Sequence, residues 1–222
     1  MFKNKTRRKS NKKQNEKPET LPGKIWYFIW EDDSVWSWLV NILLAFVIIK
    51  FLVYPGLGLA LSTDHPIVAV ISPSMEHDGN FDQWWSSSAY CNNNYCSQEQ
   101  WYSMYNISKE DFREFQFRNG FNIGDIIVLK GKKPKDIKKG DVMVFDIGRQ
   151  IPIIHRTVDT WEESGTYYFT TKGDHNPKIF EEIGERKISQ DQFIGKAWFR
   201  IPWLGYVKIW FVEILKFVGL VR

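Results

Sequence analysis

The sequence of 222 residues contains little cysteine and little histidine, two residues of the first and four of the second. Two cysteines form at most one disulfide, which excludes the small secreted proteins whose fold depends on several. The histidines show no spacing typical of a metal site, so we expect no metal and no cofactor. A chain of this length can instead bury a hydrophobic core of its own.

Net positive charge is absent from most of the chain. Residues 1–25 carry nine basic and two acidic side chains, a net charge of +7, whereas the whole chain has a net charge of +4. The remainder is therefore slightly acidic, and we expect no nucleic-acid binding. Residues 1–25 are polar and have almost nothing to bury, so they are predicted to be disordered. They belong to a basic tail that we place at residues 1–33.

One long apolar run follows this tail. Residues 34–54 include a single charged residue, Lys50, before Pro55 and Gly56 interrupt the run. As an α-helix the run extends about 31 Å, the thickness of the hydrocarbon core of a bilayer. It predicts a transmembrane anchor over residues 34–54. A cleavable signal sequence is the alternative, but the run is longer than a signal core and no small-residue cleavage pattern closes it.

The charge distribution also predicts the orientation of this anchor. Cytoplasmic flanks of transmembrane helices are rich in lysine and arginine. We therefore expect a single-pass protein of the cell membrane, with its N-terminus in the cytoplasm and everything after Tyr54 outside the cytoplasm.

Long helical repeats are lacking between residues 62 and 202. Short β-branched runs bounded by Gly, Asp and Pro indicate strands there. The predicted strands are Pro66–Ser72, Asp125–Lys130, Asp141–Ile147, Pro152–Asp159, Thr166–Lys172 and Phe193–Arg200. We therefore expect an all-β, mostly antiparallel domain outside the cytoplasm over residues 62–202.

Residues 77–122 differ from the strands on either side, because they are rich in Asn, Ser and aromatic residues. We call this segment the insertion. Cys91 and Cys96 lie within it and predict a local disulfide on the external side of the membrane, with two free thiols as the alternative. The insertion either contacts the membrane or the substrate, or it is a surface decoration with a small core of its own.

Apolar residues return over the C-terminal segment 203–222. Lys208, Glu213 and Lys216 fall on one face of a helical wheel. This pattern predicts an amphipathic helix that lies in the membrane interface, with a second membrane span as the alternative.

Three short motifs contain residue types that are typical of the active sites of hydrolytic enzymes. Ser72 and Ser74 follow the first predicted strand, His155 lies inside a later strand, and Asp174 follows another. A histidine can take the proton of a serine hydroxyl, and a carboxylate can orient the imidazole. Each motif alone has an ordinary structural explanation, as a turn or as a strand residue.

In their order along the chain, these motifs resemble type I signal peptidases over about residues 34–205. The matching segments are SPSME at 72–76, GDIIVLK at 124–130, KGDVMVF at 139–145, IPIIHRTV at 151–158, TKGDHN at 171–176 and GKAWFRIPWLG at 195–205. Bacterial members have a lysine base in the box where this chain has His155 before Arg156. The resemblance is therefore to the archaeal and endoplasmic-reticulum type, which uses a Ser-His pair.

The resemblance implies a membrane-bound serine endopeptidase that removes signal peptides from exported preproteins. It assigns Ser74 as the nucleophile and His155 as the general base and acid. Asp174 is implied as an essential carboxylate, and Ser72 as a hydroxyl of the oxyanion hole.

One family position departs from this pattern. The Ser-His type usually has a further Asp about six residues after the Gly-Asp motif, but this chain has Phe180 there. Glu181 follows at once and is the reserve candidate for the acid.

The partners implied by this reading are the signal peptides of preproteins, membrane lipid and a membrane complex with the translocation machinery. Two alternatives stay open. A lysine-dependent protease of the same fold requires a lysine at position 155. A non-catalytic anchored β domain binds partners through the aromatic insertion.

Overall fold

A computed structural model describes residues 18–149 and 151–217. The chain divides into two compact units, Met1–Val53 and Tyr54–Arg222. In the first unit, helix α1 spans Leu21–Trp30 and helix α2 spans Val35–Ile48. Helix α1 begins before residue 25, so the last of the residues that were predicted to be disordered are helical.

Two polar residues of the apolar run find hydrogen-bond partners in α1. The Ser37 hydroxyl donates to the Phe28 carbonyl, and the Asn41 amide donates to the Ile29 carbonyl at 2.8 Å. Polar groups inside an apolar environment are costly unless they are paired. These contacts pair the Ser37 hydroxyl and the Asn41 amide nitrogen, whereas the buried Asn41 Oδ1 has no hydrogen-bond partner among the described residues.

The apolar helix is longer than the sequence predicted. A π-helical turn, Ile49–Val53, joins α2 to helix α3, Tyr54–Leu61. The continuous helix Val35–Leu61 has 27 residues and a mean hydropathy of 2.3 in its most apolar window, so it is long and apolar enough to cross a membrane. The helix therefore continues past residue 54, where the sequence predicted the anchor to end. Pro55 directly follows the wide π turn, where the absence of a backbone N–H disturbs the helix least.

Seven strands of the second unit form one antiparallel sheet. They are β1 (Ile67–Ala69), β4 (Ile126–Lys130), β5 (Val142–Phe145), β6 (Ile153–Glu163), β7 (Thr166–Lys172), β8 (Ile188–Ser189) and β9 (Phe193–Ile201). Their order in the sheet is β1-β4-β9-β5-β6-β7-β8. The six predicted strands are all present, which confirms the predicted β fold with an N-terminal apolar helix and a C-terminal helix.

The main core lies against the first strands of this sheet. Its buried residues are Val70, Met75, Phe121, Ile127, Leu129, Val142, Val144, Ile154 and Ala197. Met75 is completely buried and directly follows Ser74. Burial of a large apolar side chain stabilises its position by about 1.5–3 kcal/mol, so the core holds the backbone next to Ser74.

The insertion has secondary structure and a core of its own. It contains α4 (Phe81–Trp85), β2 (Ser88–Cys91), β3 (Asn94–Ser97), α5 (Gln98–Ser103) and α6 (Lys109–Glu114). Its buried residues are Trp84, Trp85, Ala89, Trp101, Tyr102, Ile107 and Phe112, joined by Val158 and Ile179 of the main body. A disulfide between Cys91 and Cys96 links β2 to β3.

Helix α7 spans Tyr206–Phe217 and follows β9 closely. Its start is fixed by two glycines, since the Gly205 N–H donates to the Gly124 carbonyl at 2.8 Å and the Tyr206 ring packs where a side chain of residue 124 would lie. Large apolar side chains of α7 are exposed. They are Val207, Trp210, Phe211, Ile214 and Phe217.

Candidate functional site

Ser74 lies in the short segment that follows β1. Its hydroxyl oxygen is 3.2 Å from that of Ser72. The next carbonyl, that of Met75, accepts a hydrogen bond from the Phe121 N–H at 3.0 Å. The two serine hydroxyls therefore lie close together, and the Phe121 hydrogen bond holds the backbone next to Ser74.

His155 lies in β6 and is buried, and its Nδ1 is hydrogen bonded to the carboxylate of Glu185. Glu185 is also completely buried. Its carboxylate accepts hydrogen bonds from the Phe180 N–H at 2.7 Å and from the Thr171 hydroxyl at 3.2 Å. These donors fix the carboxylate, which in turn fixes the orientation of the imidazole ring.

Gly173 marks the place where the serine segment and the imidazole meet. A Cβ atom at this position would lie 2.7 Å from the Ser74 carbonyl oxygen and 2.8 Å from His155 Nε2. Both distances are too short for a side chain, so only glycine allows this approach. The imidazole nitrogen that faces away from Glu185 thus lies beside the Ser74 segment.

Ser72, Ser74 and His155 line an apolar groove of about 590 Å³. Its lining residues are Val68, Ala69, Val70, Ile71, Ser72, Ser74, Arg149, Ile151, Pro152, Ile153, Ile154, His155, Asn176 and Phe180. One wall is β1, which is an edge strand of the sheet. The polar groups therefore lie in a mostly apolar groove beside an unpaired strand edge.

Asp174 is completely buried, but its carboxylate faces other partners. Arg156 donates to it through Nε at 2.9 Å and Nη2 at 2.6 Å. The Tyr102 hydroxyl donates at 3.0 Å, and His77 Nε2 lies at the same distance. Burial alone would raise the pKa of Asp174, but the Arg156 guanidinium and the His77 hydrogen bond hold that pKa well below its usual range.

Glu181 is exposed and pairs with Arg186 at 2.6 Å. The structure thus gives both predicted acids other partners, and the carboxylate beside His155 is Glu185. Glu181 belongs to a short 3₁₀ turn that ends at Gly184, whose backbone is left-handed with φ 73°. This turn reverses the chain and directs residue 185 inward. Gly184 is the feature of the sequence that could indicate this turn, but it does not show which of the neighbouring acids points inward.

The insertion contacts the segment 173–177 from the side opposite Ser74. The Trp84 indole N–H donates to the Asp174 carbonyl at 3.1 Å, and the Gln98 amide donates to the Asn176 carbonyl at 3.3 Å. From the other side, the His175 N–H donates to the Ser74 carbonyl at 2.9 Å. The insertion therefore supports the segment that contacts Ser74.

Lys172 is a buried cation between the sheet and the insertion. Its ammonium donates to Gln98 Oε1 at 2.9 Å and to the Gly173 carbonyl at 3.1 Å. It also lies 4.9 Å from the Trp101 ring centre and 5.0 Å from that of Tyr102. Burial lowers the pKa of Lys172 to about 7, against the opposing effect of the Asp174 carboxylate.

Within residues 18–149 and 151–217, no group of three or more His, Cys, Asp or Glu side chains is arranged to hold a metal ion. The Asp174 carboxylate that contacts His77 also accepts hydrogen bonds from Arg156 and the Tyr102 hydroxyl, so its oxygens are occupied by protein donors.

The antiparallel sheet, the apolar N-terminal helix and the C-terminal helix together are consistent with a signal-peptidase-like fold. No family model matches the chain. Curated relatives do match. The human signal peptidase complex catalytic subunit SEC11C is 32% identical over 103 residues, which cover 44% of this chain and 53% of the relative.

Two yeast proteins named signal peptidase complex catalytic subunit SEC11 also match. That of Lachancea thermotolerans is 35% identical over 100 residues, 42% of this chain and 59% of the relative. That of Scheffersomyces stipitis is 26% identical over 174 residues, 75% of this chain and 78% of the relative. The chain spans about half the length of the first mammalian relatives that it matches. These matches confirm the predicted resemblance to type I signal peptidases.

A conservative substitution tests the support that the insertion provides. Tyr102→Phe removes the hydroxyl that donates to Asp174 and keeps the ring. Because a buried carboxylate then loses a donor, we expect the free energy of unfolding to fall by about 1–3 kcal/mol. The measurement is denaturant unfolding of the full chain in detergent. Tyr95→Phe, at a side chain that is 79% exposed, is the matched control, and an equal effect of both variants would contradict the role of Tyr102.

A second prediction concerns Lys172 and pH. Its pKa of about 7 in the folded protein lies below its ordinary value of 10.5, so the unfolded chain binds more protons between these two pH values. The contribution of Lys172 to stability must therefore rise as pH increases from about 7 to about 10. We expect Lys172→Met to lose this rise in the free energy of unfolding, and the exposed-site control Lys135→Met to keep it. A difference between wild type and Lys172→Met that does not change with pH would exclude a lowered pKa.

Proposed function

We propose that this chain is a membrane-anchored serine endopeptidase that cleaves N-terminal signal peptides from exported preproteins. The observation that carries the proposal is one apolar groove beside β1 that is lined by both Ser74 and His155, with the buried Glu185 hydrogen bonded to His155 Nδ1. The names of the relatives, which are signal peptidase catalytic subunits, support the class of substrate.

In the proposed reaction, His155 Nε2 accepts the proton of Ser74 as the serine oxygen attacks the scissile carbonyl. Glu185, hydrogen bonded to Nδ1, orients the imidazole and stabilises its charged form. His155 then gives the proton to the leaving amine, and water hydrolyses the acyl-enzyme. Glu185 takes the role for which Asp174 and Glu181 were the sequence-based candidates.

The negative charge that forms on the oxygen of the scissile carbonyl during the attack must also be stabilised. We assign this to the Ser74 backbone N–H and to the Ser72 hydroxyl, which is 3.2 Å from the proposed nucleophile. Loss of one such donor typically lowers the rate by about 10²–10³-fold. In this proposal the Ser72 hydroxyl donates a hydrogen bond to the oxyanion and is not only part of a turn.

The groove suits an extended and apolar peptide. An edge strand offers unpaired N–H and C=O groups to a substrate strand, while alternate side chains of the substrate enter pockets beside it. Here β1 supplies the edge, and Val68, Ile71 and Ile153 are among the apolar lining residues. The resemblance implies small residues at the first and third positions before the cut, which shallow pockets of this kind would accept.

We further propose the membrane topology that the charge distribution predicts. The tail at 1–33 lies in the cytoplasm, the apolar helix crosses the membrane, and the domain at 62–202 acts outside the cytoplasm with α7 in the interface. Anchoring enzyme and substrate in one bilayer raises their effective concentration. Because the relatives are named subunits of a signal peptidase complex, association with further membrane proteins is part of this proposal.

Substitution of the proposed nucleophile and base tests the reaction. Ser74→Ala and His155→Ala should each lower cleavage of a preprotein by at least about 10³-fold, because the residues act as a unit. The measurement is the rate of preprotein cleavage by the full chain in lipid vesicles. Ser103→Ala and His65→Ala, at exposed residues outside the groove, are the matched controls and should keep full activity.

Wild-type rates in Ser74→Ala or His155→Ala would contradict the proposal. Retained or increased activity of His155→Lys would favour the lysine-dependent alternative. If an acylating serine probe fails to label Ser74 in the wild type, and the wild type cleaves no preprotein, the non-catalytic alternative gains.

A further inference from the structure

The described residues contribute five polar side chains to the groove of Ser74, and the proposed reaction uses three of them. Ser74 is the proposed nucleophile, His155 the base and Ser72 an oxyanion donor. The two others are Arg149, which is exposed in the loop before β6, and Asn176, which is half-buried in the segment after β7. The reaction described above gives Asn176 no role.

The Asn176 carboxamide lies beside the imidazole of His155. The point at which a Cβ atom of residue 173 would lie is 2.5 Å from Asn176 Nδ2 and 2.8 Å from His155 Nε2. Two atoms so close to one point are at most about two hydrogen-bond lengths apart. One small molecule with hydrogen-bonding groups can therefore contact the carboxamide and the imidazole nitrogen at the same time.

This carboxamide makes no hydrogen bond to any other group of residues 18–149 and 151–217. Asparagine in a turn commonly binds a backbone group nearby, but the side chain of Asn176 does not. A carboxamide has a donor and an acceptor. Because Asn176 lines the groove, both groups remain available to a molecule that enters it.

The backbone around Asn176, in contrast, is held by three hydrogen bonds. The Asn176 N–H donates to the Gly173 carbonyl at 2.9 Å, and the Asn176 carbonyl accepts from the Gln98 amide at 3.3 Å. The Pro177 carbonyl accepts from the Tyr90 N–H at 2.8 Å. Gln98 and Tyr90 belong to the insertion, which thus fixes the backbone that carries an unpaired carboxamide. A polar group held in this way is preorganised to bind a ligand.

The second half of the proposed reaction requires a small molecule at this place. After the mature protein leaves, the signal peptide is bound to Ser74 as an ester, which water must hydrolyse. Because Nδ1 of His155 is hydrogen bonded to Glu185, the water must lie within hydrogen-bond distance of Nε2. The substrate peptide is positioned by the edge of β1 and by the apolar groove, whereas the water needs a polar side chain to hold it.

We infer that the Asn176 carboxamide binds the water that hydrolyses the acyl-enzyme and directs its oxygen to the ester carbon. The water gives one proton to His155 Nε2 as its oxygen forms a bond to that carbon. The bond between the carbon and Ser74 Oγ then breaks, and Oγ takes the proton from His155. The signal peptide leaves with a free carboxyl group. This inference rests on the proposed function and adds a catalytic residue to it.

Competition between water and hydroxylamine tests this role. Hydroxylamine is a stronger nucleophile than water and depends less on being held in place, and it releases the signal peptide as a hydroxamate instead of a carboxylic acid. The full chain in lipid vesicles cleaves a preprotein in the presence of hydroxylamine, and mass spectrometry gives the ratio of hydroxamate to acid. Both products come from one acyl-enzyme on folded molecules, so a loss of stability alone does not change this ratio.

Asn176→Leu removes the carboxamide and approximately keeps the size of the side chain. We expect it to raise the ratio of hydroxamate to acid by about 10-fold or more, the effect of one lost hydrogen bond to the water. The value of kcat/KM for release of the mature protein should stay within about twofold of the wild-type value, because kcat/KM does not include hydrolysis of the acyl-enzyme. Asn176→Ala should change the ratio in the same direction, which excludes obstruction of the groove by leucine as the cause.

The matched control makes the same exchange outside the groove. Asn94 is exposed in β3 and does not line the groove. Asn94→Leu should therefore keep the wild-type ratio and the wild-type kcat/KM. Circular dichroism checks that each variant is folded.

Two results would overturn the inference. An unchanged ratio in both Asn176 variants would show that the water does not depend on the carboxamide. A lower kcat/KM with an unchanged ratio would assign Asn176 to binding of the substrate peptide. In both cases the wild type still cleaves the preprotein, so the proposed function stands, whereas a wild type that cleaves no preprotein contradicts the proposed function itself.

Discussion

The buried ion pair between Arg156 and Asp174 is the interaction on which the site depends. Both side chains are completely buried. Arg156 also donates to the carbonyls of Gln116, Phe117 and Gly140 at 2.9–3.1 Å. One guanidinium thereby joins β6, the turn before β5, the end of the insertion and the segment after β7. Two buried charges are tolerated only when their hydrogen bonds are nearly all made, and this pair meets that condition.

Strand alternation assigns a different acid to each of two adjacent basic residues. His155 and Arg156 are neighbours in β6, so their side chains point to opposite faces. His155 meets Glu185 at the groove, whereas Arg156 meets Asp174 beneath the insertion. The motif Gly173-Asp174 contributes to both faces, since Gly173 leaves room for the imidazole and Asp174 holds the arginine. Structural support and proposed chemistry are thus separated across a single strand.

The strands and two of the site motifs could be predicted from the sequence. The acid beside His155, the length of the apolar helix and the contacts of the insertion could not, each for a physical reason. The strands follow from short β-branched runs, and the motifs around Ser74 and His155 lie in that pattern. Glu185 could not be chosen from among the acids near it, because the left-handed turn at Gly184 is visible only in three dimensions. The path of the helix through Pro55 depends on a π turn that hydropathy does not reveal. The contacts of Trp84 and Tyr102 with Asp174 join residues far apart in the chain, which periodicity does not report.

The division of roles between the two buried acids is the central claim of this account. Its most direct test is a comparison of two isosteric variants, Glu185→Gln and Asp174→Asn, by the rate of preprotein cleavage per folded molecule and by the free energy of unfolding. We expect Glu185→Gln to lose about 10³–10⁴-fold in rate. Asp174→Asn should lower the free energy of unfolding by about 3–5 kcal/mol, because Arg156 is left buried without its counter-charge. Its cleavage rate per folded molecule should stay within about tenfold of that of the wild type. A fully active Glu185→Gln beside a stable but inactive Asp174→Asn would contradict the account.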